Sequence, residues 1–68
     1  MAWYVEYAFP GSAAASTEHA TENEAMRRAC EFLQAGADSV EVGQNNGGVR
    51  FRKRDTNSVR DYCRQHSN

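Results

Sequence analysis

Apolar and polar residues alternate most regularly in two places. Trp3, Val5, Tyr7 and Phe9 fall on one side of an extended chain and Tyr4, Glu6 and Ala8 on the other, the period-two pattern of a half-buried strand. Pro10-Gly11 closes that strand, because proline cannot donate to a ladder and glycine frees the backbone. The second place is Ser39 to Arg52, which reads as two strands turning on Asn46-Gly47, a dipeptide strongly favoured in two-residue hairpins. With that pair at the turn centre, Val42 faces Phe51 and Glu41 faces Arg52, giving one apolar face and one opposite-charge pair. A slip of one residue would set Val42 against Arg52, so the register is specified.

The period changes between these stretches. Gly11 to Ala20 is small and polar, with Ala13-Ala14-Ala15 at its middle, and reads as a surface loop. Thr21-Glu22-Asn23-Glu24 fits a capping box. Ala25, Met26, Ala29, Cys30 and Leu33 then recur at helical steps, Phe32 widens the stripe, and the helix runs to about Gln34. Gly36 suits the left-handed position that ends a helix. After the hairpin, Asp55-Thr56-Asn57-Ser58 offers several N-caps, and Val59, Tyr62, Cys63 and His66 line one side of a short terminal helix. So short a helix must dock Val59 and Tyr62 or fray.

The order β-α-β-β-α predicts a single α+β domain over residues 1–68, two-layered, with both helices on one face of a three-stranded sheet. Pairing Glu6 with Arg50 or Arg52 favours the strand order second-third-first. A core of this size supplies only roughly 3–5 kcal/mol, so a partner subunit is a natural supplement. No run reaches membrane-spanning length, and Met1-Ala2-Trp3-Tyr4-Val5-Glu6 lacks the features of a signal peptide, which points to the cytoplasm. That compartment favours reduced thiols at Cys30 and Cys63; a disulfide between them would require both helices on the same sheet face.

Charge adds one question. Residues 1–41 hold seven acids and two arginines, −5, whereas residues 42–68 hold six bases and two acids, +4. Alternation carries Arg50, Arg52 and Arg54 onto the uncovered sheet face with Tyr4. Arginines beside an exposed aromatic suit single-stranded nucleic acid, through phosphate contacts and base stacking. The plainer reading is a solvated face whose arginines pair with Glu6 and Glu41. The third strand also lacks the exposed aromatics of an RNA-recognition fold, because Phe51 shares a face with Val49. Asn45-Asn46-Gly47-Gly48 joins two strands rather than opening a helix, so turn chemistry accounts for it.

Cys30, Cys63, His19 and His66 lack the close spacings of a zinc site, Cys63-x-x-His66 being the one geometric hint. No nucleophile-base pair or cofactor fingerprint is legible. We therefore expect no metal, no cofactor and no enzymatic activity.

Trp3 and Val5, Glu24-Ala25, Gly36-Ala37, Val40 and Val42, and Asn46-Gly47-Gly48 together resemble certain short bacterial proteins of unknown function. These share a Trp-x-Val strand, a helix entered through an acid-alanine pair, and a Val-x-Val strand turning on Asn-Gly or Asp-Gly. The resemblance spans residues 3–52 and implies a stand-alone small domain; the arginine-rich third strand and the terminal helix depart from it. The expected function is a small non-enzymatic interaction or accessory module, with a homodimer as one form, since strand one is aromatic on both faces. The alternative is a single-stranded nucleic-acid binder working through Tyr4, Arg50, Arg52 and Arg54.

Overall fold

A computed structural model describes residues 2–66 of the chain. It is an α+β fold in which two helices cover one face of a four-stranded antiparallel sheet. The elements are β1 (Trp3–Ala8), β2 (Ala15–His19), α1 (Glu22–Gln34), β3 (Ser39–Gln44), β4 (Val49–Phe51), a short 3-10 helix (Lys53–Asp55) and α2 (Thr56–His66).

The expected loop at Gly11–Ala20 contains a strand. Ser12 N–H donates to the Phe9 carbonyl at 3.0 Å and Gly11 has φ +77°, so Pro10-Gly11 forms a tight turn. That turn sends Ala15–His19 back along β1, with Trp3 opposite His19 and Tyr7 opposite Ala15. The expected strand order is also corrected. The sheet runs β2-β1-β3-β4, so the first strand pairs with Ser39–Gln44 and not with the arginine-rich strand. Apolar register outweighs charge here. Val5 lies opposite Val42 and Tyr7 opposite Val40, and Val5, Val40 and Val42 are fully buried. An exposed ion pair, by contrast, contributes only about 0–1 kcal/mol.

Helix α1 follows its sequence signals. Thr21 caps it, its hydroxyl accepting from Glu24 N–H at 3.2 Å, while the Glu24 carboxylate reaches back to Ala20 N–H at 3.4 Å. At the other end Gly36 has φ +106°, Gly36 N–H donates to Leu33 and Ala37 N–H to Phe32, the two bonds of a Schellman closure. Ala25, Met26, Ala29 and Phe32 are buried, and Phe32 stacks on Tyr7 with ring centroids 3.8 Å apart. Leu33 lies at the margin of the core.

Helix α2 docks through Val59 in its first half and through the partly buried Tyr62 and Cys63 in its second. Val59 is fully buried in the core, and Thr56 is buried as well. Strand β4 is too short to reach Val40, and the Thr56 hydroxyl takes its place. It accepts from Val40 N–H at 3.2 Å and donates to the Lys53 carbonyl at 2.7 Å. The second half of α2 is tied to α1 by a Cys30–Cys63 disulfide, with Cα atoms 5.8 Å apart. This corrects the expectation of reduced thiols: both helices do lie on one sheet face, which brings residues 33 apart in sequence within bonding reach.

Candidate interaction surface

The hairpin that was to carry an arginine row keeps its register at one point and loses it at the next. Val42 lies opposite Phe51 as expected. The turn, however, centres on Asn45-Asn46: Gly47 N–H donates to the Gln44 carbonyl at 3.0 Å and Asn46 takes the left-handed φ of 63°. The ladder absorbs the difference as a bulge, with Gly43 rather than Gln44 opposite Val49. A bulge re-aims the side chains beside it. Arg50 accordingly pairs with Glu22 in the first turn of α1, Nε to Oε2 at 2.7 Å.

The strand then ends at Phe51, before Arg52. Glu41 therefore has no cross-strand arginine. Its carboxylate accepts from the Tyr4 hydroxyl at 2.8 Å and from Lys53 N–H at 3.3 Å. Arg52 precedes the 3-10 helix and Arg54 sits within it, both exposed. Of the four candidate residues, Tyr4 is on the uncovered face, Arg52 acts on its phenol from nearby, Arg50 pairs with the helix layer and Arg54 stands on the connector. They do not form one row.

Tyr4 is itself engaged. Its ring lies over Gly43, where an added Cβ would come within 2.7 Å of the ring and hydroxyl. Burial, the hydrogen bond to Glu41 and the charges of Glu41 and Glu6 push its phenol from 10.0 up to about 12, with Arg52 opposing.

The uncovered face has another character. Residues opposite one another across an antiparallel sheet share a face. Tyr4 aligns with Glu18 and Gly43, and Glu6 with Ser16 and Glu41. Three carboxylates thus occupy the β2-β1-β3 part of the face. Glu41 is committed as above, and Glu18 accepts from the Asn45 amide at 3.0 Å. Glu6 and Glu18 have no ion pair among the described residues.

The two sheet edges differ as well. Strand β4 is three residues long, bulged, and ends at the 3-10 helix, features that blunt an edge. Strand β2 is five residues long and pairs with β1 without interruption; it contains no proline, no lysine and no bulge. It is an edge strand with no further strand beside it among the described residues, and such an edge presents unpaired backbone groups. Sequence reading missed Ser16 and Glu18 because Ala-Ser-Thr-Glu-His lacks the aromatic and branched residues that mark strands. Pro10-Gly11 was the available signal.

Among the described residues no group of three or more His, Cys, Asp or Glu side chains could hold a metal ion, and no helix is long and apolar enough to cross a membrane. No family model, curated protein or solved structure matches the chain.

Proposed function

We propose that this chain is a small non-enzymatic protein-interaction module that adds an extended, basic segment of a partner beside strand β2. The observation that carries this reading is the unblunted β2 edge set next to two carboxylates without ion pairs, Glu6 and Glu18. Main-chain hydrogen bonds along an added strand supply affinity, and alternate side chains supply choice of partner. Lysines on one side of the added strand meet Glu18 and Glu6; apolar residues on the other lie beside Thr17 and His19, which share the helix-covered face with Val5 and Trp3.

Self-association through the same edge is the second reading. A two-fold axis at Thr17 sets Glu18 of each copy against Ser16 of the other, avoiding a direct like-charge pair. The test is fluorescence anisotropy with a labelled peptide of alternating lysine and valine, alongside a labelled single-stranded oligonucleotide, at low salt. Peptide binding that Ser16→Lys abolishes supports the module. Oligonucleotide binding without peptide binding overturns it in favour of a nucleic-acid binder. Light scattering of the unliganded chain separates the homodimer from the monomer.

A further inference from the structure

The Cys30–Cys63 disulfide joins α1 to α2 at the surface of the helix layer. Cys30 and Cys63 are only partly buried. They line two open grooves, one on either side of the α1–α2 contact. The larger, about 450 Å³, is also lined by Met26, Arg27, Glu31 and Tyr62. The other, about 290 Å³, is lined by Leu33, Gln34, Arg60 and Arg64 besides the two cysteines.

Three arginines and one glutamate line the two grooves. Arg27 faces the first groove and has no ion pair among the described residues. Glu31, the one acid on that groove, is held by Arg28 at 2.8 Å. Arg60 and Arg64 face the second groove, with no acid among its lining residues. Arg60 is positioned by the Asn57 amide oxygen at 2.9 Å, and Arg64 by Asp61. Reactive cysteines characteristically sit in partly exposed, electropositive surroundings, whereas inert ones are buried and apolar. The setting here is of the first kind.

The geometry points to Cys30–Cys63 as a thiol–disulfide exchange site for small carboxylate-bearing thiols. In the first step the thiolate of the incoming molecule attacks one of the two sulfurs. The S–S bond breaks, a mixed disulfide forms, and the other cysteine leaves as a thiolate that takes a proton from water. A second thiolate then attacks the mixed disulfide, releasing the second cysteine. The balance is two small thiols oxidised to their disulfide and two protein thiols formed. Arg27 and Arg60 draw the anionic thiol to the grooves and stabilise the leaving thiolate, which speeds exchange. This site lies on the helix layer, away from the β2 edge, and does not depend on how that edge is used.

The test uses the oxidised full chain under native conditions, with glutathione as the anionic thiol and cysteamine as the cationic one. Free protein thiols are trapped by alkylation and counted by mass spectrometry. Each rate is divided by that thiol's rate with hydroxyethyl disulfide, an uncharged reference. The normalised glutathione rate should exceed the cysteamine rate by on the order of fivefold at low salt. It should fall towards equality in 1 M salt. The double variant Arg27→Glu, Arg60→Glu, both surface positions, should remove or invert the preference while keeping its far-ultraviolet circular dichroism. Equal normalised rates at low salt would overturn the inference. So would reduction no faster than global unfolding measured by hydrogen exchange, and the salt series on the unaltered chain decides even if the variant misfolds.

Discussion

Thr56→Val removes one hydroxyl from the junction of β3, the 3-10 helix and α2 while nearly conserving shape. The hydroxyl is the partner of Val40 N–H at 3.2 Å, at a residue fully buried in the core, and it donates to the Lys53 carbonyl at 2.7 Å. Valine leaves that N–H without an acceptor, in a place where water does not reach. An orphaned buried donor costs about 1–3 kcal/mol, and the Lys53 carbonyl, which is less buried, adds little. We expect a loss of about 2 kcal/mol. For a domain of this size that lowers Tm by roughly 8–16 °C, at about 4–8 °C per kcal/mol. Urea unfolding and calorimetry of the oxidised protein measure it. Thr56→Ser is the informative companion: it keeps the hydroxyl and loses one methyl, worth about 0.8 kcal/mol. Serine should therefore be the milder change. If valine is as stable as threonine while serine is clearly worse, Thr56 acts through its volume and the hydrogen-bonding role is refuted.

Replacing both Cys30 and Cys63 by serine opens a loop with a sequence separation of 33, and loop-closure entropy puts the loss at roughly 3.7 kcal/mol; urea midpoints of the variant and the oxidised parent check it. The Tyr4 phenol, raised from 10.0 to about 12, is more easily ionised in the unfolded chain. Its contribution to stability is thus complete below pH 10 and is lost as pH rises through 12. The urea midpoint should fall more between those values in the parent than in Tyr4→Phe, and parallel profiles would contradict the raised phenol, to which burial and then Glu41 contribute. Gly43→Ala places a Cβ where the Tyr4 ring lies, 2.7 Å from its atoms, so the phenol should move away from Glu41 and ionise nearer pH 10, read by ultraviolet absorbance.

What was legible in the chain was what its neighbours in sequence decide. The Thr21 cap and the Gly36 closure depend on residues a few positions apart, and the Val42–Phe51 pairing on one short hairpin. Strand β2 was hidden because its extended form comes from pairing with β1, not from Ala-Ser-Thr-Glu-His itself. The strand order turned on non-local packing of Val5 and Tyr7 against Val42 and Val40, which a charge argument could not weigh. The arginine row failed for a local reason of another kind. Extrapolating period two from Val49 to Arg54 assumed a continuous strand, whereas the bulge and the 3-10 helix break it on either side of Phe51. The disulfide required knowing that α1 and α2 lie side by side.

The most direct measurement of the proposed role is amide hydrogen exchange, residue by residue, with and without the alternating lysine-valine peptide. Strand addition at β2 predicts new protection confined to alternate amides of Ala15–His19, those facing away from β1. Protection appearing instead on the Val49–Phe51 edge, or a bound peptide that leaves Ala15–His19 unprotected, would contradict it.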